Sequence, residues 1–89
     1  MFNAAYATAN GVTVQDVDMG TVYSANGNEL SFIGEWEEGE VHLNNAFVGF
    51  YEKDEDEEVV RIISESGKWI ASFTDSEEGY ETYASMMLE

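Results

Sequence analysis

Nineteen acidic residues against three Lys and Arg in a chain of 89 give a formal net charge of −16, which argues against anionic lipid and nucleic acid as direct ligands. The absence of cysteine excludes a disulfide framework, a thiolate metal site and a cysteine nucleophile. Hydrophobic residues at 44% and aromatics at 13% separate the chain from charge-rich disordered ones, so residues 1–89 are expected to form one folded domain with a radius of gyration of about 12 Å.

The first residues, Met1-Phe2-Asn3-Ala4-Ala5-Tyr6, show no basic n-region and no long apolar run, so no secretory signal is predicted. No stretch approaches the roughly 20 apolar residues of a membrane span. A soluble cytoplasmic protein is the expectation. Residues 1–11 read as a short edge strand or a frayed arm.

Turn signals then recur at hairpin spacing. Asn26-Gly27-Asn28 lies between Thr21–Ala25 and Glu29–Trp36, and Asn-Gly supplies the positive φ angles of a type I′ turn. Glu37-Glu38-Gly39 separates Trp36 from Val41, and Asn44-Asn45 is either a turn or a bulge in a continuous strand. Lys53-Asp54-Glu55-Asp56 and Glu65-Ser66-Gly67-Lys68 follow. Between the turns, Leu30, Phe32, Gly34 and Trp36 are predicted to share one face, as are Trp69, Ala71 and Phe73. The segment around Val59, Val60, Ile62 and Ile63 suits a central strand covered on both sides. The pattern predicts an α+β fold: an antiparallel meander of five or six strands with one C-terminal helix packed on the sheet.

That helix is predicted over 75–88, because Tyr80, Tyr83, Ala84, Met87 and Leu88 fall at helical spacing. Asp75 or Ser76 caps its start, Glu77 and Glu78 favour the positive end of its dipole, and Gly79 weakens it by about 1 kcal/mol relative to alanine.

Motifs for chemistry are missing. His42 is the only histidine, no nucleophile-elbow sequence flanks a serine, and no Walker or GxGxxG sequence occurs. Runs starting at Asp16 and Asp54 fail the EF-hand pattern, with Thr21 and Val59 where its glycine belongs. No enzyme activity, cofactor or metal is predicted.

The charge itself is the remaining signal, and it is unevenly placed. Residues 1–28 hold only Asp16 and Asp18, residues 29–58 hold eleven acids, and residues 59–89 hold six. Alternate residues of a strand point the same way about 6.6 Å apart. That is of the same order as phosphates along one DNA strand, whose axial step alone is about 3.4 Å. Glu35, Glu37, Glu38 and Glu40, then Asp54, Glu55, Asp56, Glu57 and Glu58, with Glu77 and Glu78 as a third cluster, are the expected contacts for Lys and Arg that otherwise hold phosphates. Trp36 and Tyr51 beside them read as anchors if exposed and as core if buried.

In size, acidity and sheet-plus-helix plan, with Glu35-Trp36-Glu37-Glu38-Gly39-Glu40 and Asp54-Glu55-Asp56-Glu57-Glu58 carrying the likeness, the chain resembles the small inhibitors that bacteriophages use against host defences. That class includes anti-restriction and anti-CRISPR proteins and uracil-glycosylase inhibitors. The likeness is to a functional class without a shared fold, and it assigns no individual residue a role. It implies a basic nucleic-acid-binding protein or ribonucleoprotein, such as a CRISPR effector or a restriction enzyme, as partner. The competing readings are a homodimer or other assembly through an apolar sheet face, with charge serving solubility, and adaptation to high salt. Acidic clusters on one surface favour mimicry; clusters at opposite ends favour solubility.

Overall fold

The computed structural model describes residues 5–8 and 11–89. Its strands are β1 (Ala5–Ala7), β2 (Thr13–Val17), β3 (Gly20–Ala25), β4 (Asn28–Gly34), β5 (Glu38–Leu43), β6 (Ala46–Asp54), β7 (Val59–Ile63) and β8 (Trp69–Thr74), followed by helix α1 (Glu77–Met87). They form one eight-stranded sheet in strict chain order, with every neighbouring pair antiparallel.

The α+β meander with a C-terminal helix is therefore as predicted, but the strand count is higher. Seven strands have five residues or more, and three-residue β1 adds an edge. The extra hairpin turns at Asp18-Met19, where Met19 takes a φ of 68°. A non-glycine residue with positive φ gives no turn signal in the sequence, so β2 and its connection to β3 are not apparent there. Of the N-terminal stretch 1–11, Ala5–Ala7 form that edge strand on β2; residues 1–4, 9 and 10 lie outside the described residues.

Two asparagine turns behave as their composition dictates. Asn26-Gly27 and Asn44-Asn45 both place two consecutive residues at positive φ, as a tight hairpin requires. Asn44-Asn45 is thus a turn. The acidic turn between β4 and β5 sits at Glu35–Glu37, earlier than the sequence implied, and Glu38 and Gly39 already belong to β5.

One face of the sheet packs on α1 and the other is open. The core holds Val14, Tyr23, Leu30, Phe32, Val41, Tyr51, Val60 and Ile62 from the sheet, with Tyr83, Ala84 and Leu88 from the helix end of the chain. Leu30, Val41, Val60, Ile62 and Leu88 are fully buried, and each such aliphatic side chain contributes about 1.5–3 kcal/mol. Phe32 is the hub, its ring 5.2 Å from that of Tyr80 and 5.6 Å from that of Tyr23. Helix α1 touches both β3 and β8, so the sheet curls around it, with a radius of gyration of 12.3 Å.

Three face assignments differ from the sequence reading. Only one side of β7 is covered: Val60 and Ile62 are buried, while Val59, Arg61 and Ile63 lie on the open face. Trp36 is in the turn and exposed, because the alternation of β4 ends at Gly34. Trp69 leaves the face of Ala71 and Phe73 through a register shift at Ile62/Ile63, which leaves Ile70 without a cross-strand partner.

The helix starts where its cap allows. Ser76 Oγ accepts a hydrogen bond from the Gly79 amide, so Ser76, not Asp75, is the N-cap. Gly79 is required by space: a Cβ there would overlap the carbonyl oxygen of Thr74. At the other end, Asn26 Nδ2 donates to the Leu88 carbonyl at 3.0 Å, fastening the helix terminus to the β3–β4 turn. Among the described residues, no helix is long and apolar enough to cross a membrane.

Candidate functional site

In a meander, alternate turns fall at the same end of the sheet. The turns after β2, β4 and β6 and the connection from β8 to α1 therefore share one end, and those after β3, β5 and β7 share the other. Along the first rim lie Asp18, then Glu35, Glu37 and Glu38, then Asp54, Glu55, Asp56, Glu57 and Glu58, then Asp75, Glu77 and Glu78. Among the described residues, the opposite end carries the Asn26-Gly27 and Asn44-Asn45 turns and only Glu29, Glu65 and Glu89 as acids. Neighbouring turns on the rim are two strands apart, about 10 Å.

Backbone hydrogen bonds tie the rim together. Gly34 N–H donates to the Met19 carbonyl at 2.7 Å, Lys53 N–H to the Glu37 carbonyl at 2.9 Å, and Asp75 N–H to the Glu58 carbonyl at 2.8 Å. The three acidic clusters predicted from sequence thus occupy one connected edge. Glu40 alone sits away from it, two residues into β5 on the open face, where its carboxylate meets His42 Nε2 at 3.0 Å.

Each acidic turn is built by identifiable residues. In the first, the Tyr51 hydroxyl donates to the Glu35 carbonyl. Tyr51 reaches it because Gly34 and Gly39, paired across β4 and β5, leave room beneath the ring; a Cβ on Gly39 would collide with Tyr51 and with the Ile33 carbonyl. Tyr51 is buried, so it serves as core and turn support, and burial, then the nearby Glu35 charge, pushes its phenol pKa upward.

In the second turn, Asp54 Oδ1 accepts from the amides of Asp56 and Glu57 at 3.0 and 3.1 Å. Arg61 Nη1 lies 2.7 Å from its other oxygen. The Arg61 hydrogen bond, then the Glu57 amide, lowers the Asp54 pKa below its usual value. Asp54 therefore organises the turn, and it presents Glu55, Asp56, Glu57 and Glu58 to solvent.

The basic residues at this end are already engaged. Lys53 Nζ lies 3.9 Å from the Trp36 ring centroid and 3.7 Å from Asp75 Oδ1, so it clips the first acidic turn to the start of the helix. Arg61 holds Asp54 and Glu57 and lies 4.7 Å from the Trp69 ring centroid. Lys68 belongs to the turn after β7, at the far end. Glu37, Glu38, Glu55, Asp56, Glu58, Glu77 and Glu78 are exposed, and no ion pair among the described residues holds them.

Sequence reasoning missed Asp18, Asp75 and Glu52 as neighbours of these clusters. Turn parity finds the first two once the β2–β3 hairpin is known. Glu52 sits directly opposite Glu38 on the open face, a like-charge pair that disfavours the isolated sheet. Among the described residues no group of three His, Asp or Glu is placed to hold a metal ion. Compared with protein-family models, curated proteins and solved structures, the chain matches none.

Proposed function

We propose that this chain is a noncatalytic acidic inhibitor whose rim imitates DNA phosphates and occupies the basic groove of a nucleic-acid-binding protein. The partner we infer is a host defence complex, with a CRISPR effector blocked from its target DNA as the leading case and a restriction or other DNA enzyme as the alternative. One observation supports this reading above the rest: meander parity collects the acidic turns on one rim while the opposite end stays nearly free of carboxylates. Charge kept only for solubility has no reason to gather on one edge, where crowding costs stability through self-repulsion.

Such an inhibitor needs no reaction. Tyr51, Asp54 and Ser76 fix the backbone of the turns and helix start, which present their carboxylates as acceptors for guanidinium and ammonium groups. A field of one sign speeds encounter with a basic cleft. Assembly through the apolar open face is the second reading, favoured by the exposed Phe47, Phe50 and Trp69 on that side.

The test is to incubate the protein with candidate DNA-binding effectors and measure their DNA capture across a salt series. Mimicry requires an effector whose DNA binding is lost, with inhibitor affinity falling steeply as salt rises. Replacing Asp54 to Glu58 by amides should abolish that loss. An unaffected DNA capture in every case, or an amide variant as potent as the parent, would sink the proposal.

A further inference from the structure

Two β-bulges place aromatic side chains where strict alternation would have buried them. In β6 the register shift beside Val41/His42 makes Val48 the extra residue, so Phe47 shares the open face with Phe50, their rings 5.1 Å apart. In β8 the shift at Ile62/Ile63 makes Ile70 extra, and Trp69 pairs with Ile63 on that same face. Bulges re-aim side chains at functional edges as well as bending strands. Cross-strand register then aligns Ile33, Glu40, Phe50, Ile63 and Trp69 in one row from β4 to β8. Phe50 is 41% exposed and Trp69 63%. Beside the row opens a depression of about 490 Å³ that includes Ile33, Phe50 and Ile63, with the carboxylates of Glu38, Glu40 and Glu52 around it.

We propose that this open face docks a basic amphipathic segment of a partner protein. Its apolar side chains cover Ile33, Phe50, Ile63 and Trp69, while flanking Lys or Arg meet Glu38, Glu40 and Glu52. Charge selects this occupant over a second copy of the chain. A two-fold pairing through the row would bring both copies of these carboxylates into one interface between two bodies of −16 each. A basic segment instead relieves the Glu38–Glu52 repulsion across β5 and β6. The surface meets the rim only at Glu38, and its apolar row lies away from the acidic turns, so the inference stands whether or not the rim imitates DNA.

The chain carries a reporter on each surface, since Trp36 is at the rim and Trp69 on the open face, and they are its only tryptophans. Trp36→Phe leaves the open face as the sole tryptophan signal, and Trp69→Phe leaves the rim. Three probes suffice: a helical Lys/Leu amphipathic peptide, oligolysine, and a Gln/Leu peptide of the same pattern. The Lys/Leu peptide should shift Trp69 emission to the blue, while oligolysine and the Gln/Leu peptide leave Trp69 emission in place. Phe50→Ser, or Ile63→Thr should the first variant lose its far-UV spectrum, should weaken Lys/Leu binding about tenfold or more.

A Trp69 signal indifferent to the Lys/Leu peptide, or equal for all three probes, would overturn the docking proposal. Self-association at micromolar concentration that Phe50→Ser abolishes would overturn it in favour of a homodimer. Oligolysine acting on Trp36 alone reports the rim separately, so failure of one surface does not imply failure of the other.

Discussion

The hydroxyl of Tyr51 holds the carbonyl of Glu35, so a core residue fixes the shape of an exposed acidic turn. Tyr51→Phe keeps the ring and removes only this bond. The expected cost is about 1 kcal/mol in denaturant unfolding, with faster exchange of the Lys53 amide, which donates to the Glu37 carbonyl of the same turn. Unchanged exchange at that amide would show that the turn is held by something else.

Lys53 joins two rim segments through Trp36 and Asp75. Lys53→Met preserves the stem and removes the ammonium, with an expected loss of about 1 kcal/mol from the cation–π contact. Trp36 emission should become more solvent-like. Emission identical to the parent would mean that the ring does not depend on Lys53.

Asp54 performs two tasks that substitution separates. Asp54→Asn keeps an Oδ1 acceptor for the amides of Asp56 and Glu57 but loses the Arg61 ion pair; Asp54→Ala loses both. Melting temperatures at neutral pH should fall in the order parent, Asn, Ala, measured in enough salt to screen rim repulsion. Because the folded pKa lies below the ordinary 3.8, the ion pair's contribution is present above that value. It is lost as pH falls through the lowered folded pKa. The gap between parent and Asp54→Asn should therefore close in acid; a gap that persists well below pH 3.8 would refute this assignment.

The tyrosines set the alkaline limit. Burial raises the pKa of Tyr51, Tyr80 and Tyr83 above 10.0, with Glu35 adding to Tyr51 and Asp75 to Tyr80. Above pH 10 the unfolded chain loses phenolic protons that the folded chain keeps, so stability falls as pH rises. Tyrosinate absorbance should rise together with loss of the circular dichroism signal. Full tyrosinate formation near pH 10 in an intact fold would contradict the burial argument.

Much of this architecture is legible in residue pattern. The Asn26-Gly27 turn, the Tyr80–Leu88 helix face and the Ser76 cap follow from local rules that tertiary packing does not override. Most of what escaped detection comes from local irregularities. Met19 turns without glycine, and Val48 and Ile70 are bulge residues that reassign the face of their neighbours. Phe47 and Trp69 therefore stand on the open face. β7 alternates regularly and is covered on one side because the helix packs on only one face of the sheet. The rim was half legible: its three clusters are visible as charge runs, but their union depends on the number of intervening turns.

The most direct measurement compares two charge-matched variants in displacement of DNA from a susceptible effector. One replaces Glu37, Glu55 and Asp56 on the rim by amides. The other replaces Glu29, Glu65 and Glu89 at the opposite end and so carries the same net charge. If the rim imitates phosphates, the rim variant loses displacement while the opposite-end variant retains the parent's potency. Equal potency of the two variants would contradict the claim, because charge would then act without regard to place.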